Sequence, residues 1–563
     1  MKSIWLILIT SVLTLTGCGK SDDPGPDAGA TPGYVEAADG GNGLLAGVDA
    51  ETAYLYANLA RLPDALIDKF WAINEASNVS NEAMLDALSE DEELPPAVRA
   101  LVREAGNLST RAGWEAAGFN ANPYYAFYGV DLLPFAQIEL ADRDAFVALI
   151  GRIEADLDQP LERRDIDGVE VTWIEIESGF GVALALDEDS VTFGLIPDQT
   201  SLLARVAGHY SPPTPFRAET LGAFNRDLGF TAYGSGFIDW QRTVTDLIGA
   251  RSPVALIGGT EIAEAMRADA ACVSEYQALT AKLPRMVFGY TQLSETRADL
   301  LLRQEMAPEL ASAIVPIARA PVAIDRELRG LINFGLAFDL LAAREFARSL
   351  VDGWIAEPPA CRAFDAIAQS APEWKDNLAR PIPPIITNLQ GAFLEMSQLR
   401  TEGALPTGGG TLSFYMRNPQ VLVGMAQMFA PVLAELPMEP GSAPQRVPED
   451  ALPQLQGTGL EAWMAMGQNA LGIAIGEDNV PALSEAMQES DADDLLLAGR
   501  MDFGVLSSLM EIAEQALGGA ETPEALAAQR ASYEALAEVY EQAGFKLRLG
   551  NEGVDMLFEA KLR

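Results

Sequence analysis

The chain has 563 residues, of which 49% are hydrophobic, so it is long enough to bury the cores of two to four domains. Its formal net charge of −43 would repel phosphate groups, which argues against nucleic acid as a partner and against docking on anionic lipid surfaces.

The first seventeen residues have the layout of a secretory signal. Lys2 supplies a basic start, and an apolar run from Ile4 to Leu15 follows. This run is about a dozen residues long, too short to cross a hydrocarbon core of roughly 30 Å. Residues 15–18, LTGC, resemble the lipobox of bacterial lipoproteins. The resemblance implies cleavage before Cys18, a thioether-linked lipid on its sulfur and fatty acylation (palmitate) of its new amino group.

The segment from Gly19 to Gly43 is rich in Gly, Pro, Asp and Ala and poor in large apolar residues. It cannot bury enough surface to fold, so residues 18–45 are predicted to be a lipidated flexible tether. Cys18 is followed by Gly19 and not by Asp, which by resemblance to lipoprotein sorting favours the outer membrane, facing the periplasm. The alternative is an ordinary secretory signal with a chance cysteine.

About seven times the chain shows a short strand, then an Asp, Asn or Glu, then an amphipathic helix. Short carboxylate or amide side chains can accept hydrogen bonds from the first N–H groups of a helix, and a negative charge suits that end of its dipole. These residues are therefore predicted to be helix caps, with a catalytic or metal-binding role as the alternative. They are Asn58, Asp142, Asp239, Asp339, Asn418, Glu477 and Asp502.

Antiparallel hairpins are predicted between these units. Residues 164–197 form a meander with Asp167-Gly168 as a tight turn, and further hairpins lie at 285–303 and 545–562. Long helices are predicted at 80–118, 261–283, 360–371 and 523–543. Helices on largely antiparallel sheets make an α+β protein of two or three related lobes, and one large curved sheet is the alternative.

Proline- and glycine-rich breaks at 211–215 and 405–410 suggest the lobe boundaries. The sequence therefore predicts five segments: signal 1–17, tether 18–45, N-terminal lobe 46–215, middle lobe 216–405 and C-terminal lobe 406–563.

Two motifs of the predicted mature chain allow a comparison with other proteins. They are YLYANL at 54–59 with Pro63 and Trp71, and GVDL at 129–132 followed by Pro134. On these motifs the chain resembles a group of uncharacterised proteobacterial lipoproteins with repeated strand–helix units. The resemblance covers most of the predicted mature chain and implies no particular activity.

With Cys18 assigned to lipid, Cys272 and Cys361 remain as an even pair in an oxidising compartment. A disulfide between them is predicted, and two independent buried thiols are the alternative.

The sequence offers no complete catalytic motif, cofactor motif or metal site. The single histidine, His209, follows a glycine beside a proline-rich break and is predicted to be a loop residue. The segment Tyr233–Gly236 lacks the glycine spacing of a nucleophile elbow. Acidic runs at 165–168, 187–189 and 491–494 do not have the order of a calcium loop and are predicted to be solvated turns. The aromatic stretch 114–129 is predicted to be core, with a ligand groove as the alternative.

Three hypotheses of function follow. The first is a non-enzymatic envelope lipoprotein that binds or scaffolds an unknown envelope protein. The second is a carrier or chaperone for a lipid or another apolar ligand, which the apolar content and the Met-rich stretch 416–438 motivate. The third is a hydrolase that uses carboxylates. A large dry pocket would favour the second hypothesis, and converging desolvated acids would favour the third.

Overall fold

The structure is a computed structural model in which antiparallel strands and helices form an α+β protein, as predicted. It describes residues 41–157, 159–248, 269–318, 330–400, 407–429, 431–452, 455, 459–488, 494–505 and 523–563. The predicted signal, Cys18 and most of the predicted tether lie outside these residues.

The chain divides into two compact units that interleave in sequence. The first comprises the described residues up to Leu302 with Pro523–Tyr540 and Lys561–Arg563, and the second comprises Arg303–Thr522 with Glu541–Ala560. The three lobes drawn from the proline- and glycine-rich breaks stay a prediction.

The strands fall into two series along the chain. The first series is β1 (Tyr54–Ala57), β2 (Tyr125–Val130), β3 (Leu133–Glu139), β4 (Glu162–Ile166), β5 (Val169–Glu177), β6 (Phe180–Leu186), β7 (Ser190–Pro197), β8 (Ser235–Asp239), β9 (Arg285–Leu293) and β10 (Arg297–Glu305). The second series is β11 (Ile332–Ala337), β12 (Leu389–Arg400), β13 (Thr407–Met416), β14 (Gln445–Arg446), β15 (Ala462–Met466), β16 (Ala470–Ile475), β17 (Leu495–Asp502), β18 (Tyr540–Gly550) and β19 (Gly553–Leu562).

The described helices are, in chain order, α1 (Asp64–Glu90), α2 (Pro96–Asn107), α3 (Arg111–Ala116), α4 (Arg143–Leu157), α5 (Thr200–Val206), α6 (Ala218–Leu228), α7 (Trp240–Ile248), α8 (Ala270–Lys282), α9 (Pro308–Ile314), α10 (Leu340–Ala356), α11 (Asp365–Ala379), α12 (Pro384–Asn388), α13 (Pro419–Phe429), α14 (Val480–Ala486) and α15 (Pro523–Val539). None of them is long and apolar enough to cross a membrane.

Strand pairing is antiparallel in both units. In the first unit the order across the sheet is β4-β5-β6-β7-β3-β2-β1-β8-β9. In the second unit it is β14-β15-β16-β13-β12-β11-β17-β18. The meander predicted at 164–197 is confirmed as β4 to β7, and Asp167 and Gly168 have positive φ angles of 51° and 91°, as a tight turn of this kind requires.

Helices lie on both faces of each sheet. In the first unit α2 and α4 bury Ala100, Phe146 and Ile150 in one core cluster with strand residues of one face. Val206 of α5 packs over Gly194 on the other face, where a Cβ would lie 3.0 Å from the valine. In the second unit α13 packs on one face and α14 on the other.

Three of the predicted caps are confirmed by their hydrogen bonds. The Asp142 carboxylate accepts from the backbone N–H of Ala145 at 3.0 Å, and Asp239 accepts from that of Arg242 at 2.8 Å. Asp339 accepts from the N–H groups of both Leu341 and Ala342. Each local sequence therefore positions the start of its helix.

The cap predicted at Asn58 is wrong, because the next helix begins only at Asp64. Asn58 is buried, and its amide donates to the Pro123 carbonyl at 3.0 Å and accepts from the Tyr125 N–H at 3.0 Å. A buried amide with partners on another segment holds β1 beside β2.

The single helix predicted over 80–118 is also wrong. The chain forms α1, α2 and α3 here, and Pro95-Pro96 separates the first two. Pro95 is extended, with ψ near 141°, and Pro96 occupies the first turn of α2, where its missing N–H costs nothing.

The predicted disulfide between Cys272 and Cys361 is present. Both cysteines are buried, with 4% and 0% of their surface exposed. The bond closes a loop of about 90 residues, which in the chain-entropy model stabilises the folded state by roughly 4–5 kcal/mol, and by less in practice.

Removal of this bond by a Cys272→Ser/Cys361→Ser double variant is expected to lower the free energy of unfolding by about 2–4 kcal/mol. Chemical denaturation with and without reductant measures the effect, and the variant should be insensitive to reductant. An unchanged midpoint, or free thiols at both positions in a non-reducing peptide map, would contradict the assignment.

Candidate functional site

A large apolar cavity lies inside the first unit, between one face of its sheet and the helices α2 and α4. Its volume is about 1100 Å³. This is at or above the upper end of ordinary small-molecule sites, which span roughly 300–1,000 Å³. All of its lining residues belong to the first unit.

The sheet wall is a row of side chains that cross-strand pairing places on one face. Tyr56 of β1 pairs with Phe127 of β2, Phe127 with Ala136 of β3, and Ala136 with Phe193 of β7. We call the face that carries this row the cavity face. Its aromatic members are only partly buried although helices cover the sheet, because part of their surface is turned to the cavity.

The helix wall comes mainly from α4. Phe146, Leu149, Ile150 and Ile153 recur at helical spacing and all line the cavity. At one end of the strands these same residues belong to a closed core cluster with Ile138 and others. The cavity adjoins this core cluster, because the same four residues also line it.

The polar part of the lining marks the open end. Glu177, Ser178 and Gly179, in the turn between β5 and β6, are exposed, as is Asp198 after β7. The Asp198 N–H donates to the Gly179 carbonyl at 2.8 Å, so the two loops are adjacent. We call these four residues the cavity mouth.

The tyrosines in and beside the sheet wall are shielded from water. The Tyr56 and Tyr125 rings lie 5.4 Å apart and their hydroxyls share a hydrogen bond. Burial raises the pKa of Tyr54, Tyr56 and Tyr125 well above the usual tyrosine range. A wall with so low a dielectric suits a hydrocarbon better than a charged group.

These shifts predict the alkaline behaviour of the protein. Burial also raises the pKa of Tyr128 to about 12. Below pH of about 10 these tyrosines are protonated in both folded and unfolded chains, so their contribution to stability is complete. As the pH rises through 10 towards 12 the unfolded chain loses these protons first, and stability falls.

Phenolate absorbance should therefore show that Tyr54, Tyr56, Tyr125 and Tyr128 remain protonated at about pH 11, while exposed tyrosines ionise. They should ionise only together with unfolding, followed by circular dichroism. Ionisation of all 13 tyrosines in one step near pH 10, with the fold intact, would contradict the closed aromatic wall.

One charged group inside the lining is already neutralised. Glu104 of α2 is buried, and its two carboxylate oxygens each accept a hydrogen bond from Arg152 of α4 at 3.1 Å. This pair joins the two helices over the cavity. A paired carboxylate of this kind stabilises a wall and is poorly suited to proton transfer.

The residues considered for chemistry in the sequence are not brought together. His209 lies in an exposed loop with its Nε2 at 2.8 Å from the Ile166 carbonyl oxygen. The Asp165 carboxylate accepts from the Gly168 N–H at 2.9 Å, so it serves its own turn. Among the described residues no three histidine, cysteine or acidic side chains are placed to hold a metal ion. Part of the acidic run 491–494 lies outside them.

The aromatic stretch 114–129 contributes both to the hydrophobic core and to the cavity lining. Trp114 and Phe119 stack at 4.2 Å and join the core cluster. Phe119 and Phe127 also line the cavity.

Other lining residues were missed from the sequence, among them Phe193 and Phe288. The sequence pattern that marks them is the alternation along β7 and β9. This alternation predicts which face of the sheet a side chain lies on, and it does not predict a cavity.

Comparison with protein families, curated proteins and solved structures finds no match for this chain.

Proposed function

We propose that this protein is a lipid-anchored envelope lipoprotein whose first unit binds an apolar ligand, such as an acyl chain, in the cavity between its sheet and helices. The observation that carries the proposal is an apolar cavity of about 1100 Å³ with one polar, exposed end. A chain can enter at the mouth and leave its polar end at the water boundary, so the cavity favours a carrier for an apolar ligand over a purely scaffolding role.

The burial of a hydrocarbon in such a site is strongly favourable. Each methylene removed from water contributes about 0.8 kcal/mol, and an apolar wall without unpaired charges subtracts little from that sum. A carboxylate hydrolase is less well supported, because Glu104 is paired with Arg152, and Glu177 and Asp198 lie at the mouth and not around a common point.

The experiment is to purify the protein from its own membrane, extract it with organic solvent and identify the released molecules by mass spectrometry. The proposal expects about one apolar molecule per chain after exhaustive washing. Protein that is correctly folded but carries no ligand, and that takes up none from lipid-loaded vesicles, would contradict it.

A second candidate is the docking of an envelope protein on the second unit. Phe334 and Leu336 of β11 and Leu394 of β12 share one sheet face and expose 44%, 38% and 44% of their surfaces. Contiguous exposed apolar side chains are typical of interaction surfaces. The same purification distinguishes the candidates, because a protein partner would be recovered in stoichiometric amount.

We also propose that the two units are copies of one ancestral lobe. In both, the first strand (β1 or β11) lies between the second strand and a late strand (β8 or β17). In both, the third strand pairs with the last strand of the following meander, β7 or β16. A helix also precedes each meander and another follows it. This shared order of strands and helices supports a common origin, although the first meander has four strands and the second three.

A further inference from the structure

The charges around the cavity constrain which apolar ligand it accepts. Among the described residues, the charged side chains that line it are Glu104, Glu177 and Asp198, all acidic, and no lysine or arginine lines it. Proteins that bind a carboxylate or phosphate group usually supply an arginine or lysine for it, because a buried anion without a partner is costly.

The arginines that pair with Glu104 and Asp198 are already occupied. Arg152 donates to both carboxylate oxygens of Glu104. Arg164 donates from Nε to Glu162 at 2.8 Å and from Nη2 to Asp198 at 3.1 Å. An anionic ligand could recruit either arginine only by breaking these ion pairs.

The cavity mouth remains negatively charged although Arg164 pairs with Asp198. Asp198 is matched by Arg164, while Glu177 is exposed beside it in the β5–β6 turn. Asp131, in the turn beside the lining residue Leu132, adds a further acid at the same end of the strands. The field at the entrance therefore attracts cations and repels anions.

We propose that the cavity selects an apolar molecule whose polar end is a cationic amine, accepts an uncharged alcohol or ester less well, and rejects free fatty-acid carboxylates. This inference rests on the proposed function, since it names the ligand class of the same cavity. At contact distance in water one unit charge changes affinity by roughly a factor of five, and by more at a partly buried mouth. The step from carboxylate to amine reverses the sign of the ligand charge, so the expected difference in affinity is at least about tenfold.

The test uses the full mature chain with Cys18→Ser, exported behind an ordinary signal so that no detergent competes. Dodecylamine, dodecanol and dodecanoate, which share one hydrocarbon chain, displace a neutral fluorescent naphthylamine probe below their micelle concentrations. The inference expects affinities in the order amine, alcohol, carboxylate. Equal affinities, or dodecanoate bound most tightly, would overturn it and leave the proposed function standing. If neither the probe nor any of the three ligands binds, the proposed function itself fails.

A charge reversal at the mouth provides the second measurement. Glu177→Lys reverses one charge at the mouth, so it should weaken dodecylamine and strengthen dodecanoate, each by at least about tenfold, with dodecanol unchanged. Glu188→Lys is the matched control, because Glu188 is an equally exposed acid in the β6–β7 turn, at the opposite ends of the strands. An identical response of both variants would show that the net charge of the chain, and not the mouth, sets the preference, which overturns the inference. The order of affinities in the parent protein stays decisive should either variant fail to fold.

Discussion

Replacement of both Ala136 and Val182 by tryptophan is expected to abolish ligand binding while the protein stays folded. Ala136 and Val182 lie on the sheet wall of the cavity and are only partly buried. Two indole rings there would occupy space that the ligand otherwise fills. At about 25 cal/mol per Å², each 60 Å² of ligand contact that is lost costs about 1.5 kcal/mol, which is roughly tenfold in affinity.

The fold should tolerate this change because the new side chains enter empty space. Extra volume in a closely packed core costs about 1–3 kcal/mol, whereas a cavity of this size can take up the added atoms. The thermal midpoint is therefore expected to stay close to that of the parent protein, and the two rings would gain apolar contacts with Phe127 and Phe193.

The control is Thr192→Trp, on the same sheet but on the opposite face of β7 from Phe193. It adds an indole outside the cavity lining and should leave ligand content unchanged. Lipid recovered per chain and probe titration provide the two readouts. A double variant that still carries the parental load of ligand would show that the ligand binds elsewhere.

The parts of the fold that could be predicted depend on local chemistry. The alternation along β5, β6 and β7 and the Asp167-Gly168 turn specify a meander through side-chain period and backbone φ alone. Asp142 and Asp339 sit immediately before an amphipathic run, and each indeed caps its helix. Such signals need no knowledge of the rest of the molecule.

The parts that could not be predicted depend on long-range partners. Asn58 has the same sequence setting as Asp339, yet β1 lies between β2 and β8, and buried contacts with Pro123 and Tyr125 claim its side chain. The chain then passes through an extended Pro63 before α1 begins. Tertiary hydrogen bonds here decide between two uses of one side chain.

The cavity is a stronger case of the same limitation. Alternation assigns Phe127 and Phe193 to the cavity face, but a fully packed core would give the same pattern. The helix wall depends on a long-range contact, since the Glu104–Arg152 pair that joins α2 to α4 links residues 48 positions apart in sequence. No local pattern encodes such a contact.

Loss of the proposed lipid anchor on Cys18 is the second large expected effect. Each methylene inserted into the bilayer contributes about 0.8 kcal/mol, and two or more acyl chains make anchoring stable where a single chain is marginal. A mature chain that lacks this lipid should therefore move almost completely from the membrane to the soluble fraction.

The variant has to be built with care, because Cys18→Ser behind the native signal would not be cleaved. The apolar run Ile4–Leu15 would then remain and could hold the protein at the bilayer. Cys18→Ser behind an ordinary cleavable signal removes this ambiguity. Ser21→Ala, which leaves the lipobox intact, is the control and should stay with the membrane.

Comparison of the anchored and unanchored proteins also tests whether the membrane anchor helps the cavity to collect its ligand. An acyl ligand partitions into bilayers, so a carrier held at the membrane by a tether samples a concentrated pool of it, whereas a soluble carrier would depend on the small free fraction. We expect the unanchored protein to bind added ligand with unchanged affinity and yet to be recovered from cells with less of it. If it still sediments with membranes, and the native protein shows no acyl mass at its N-terminus, the anchor assignment is wrong.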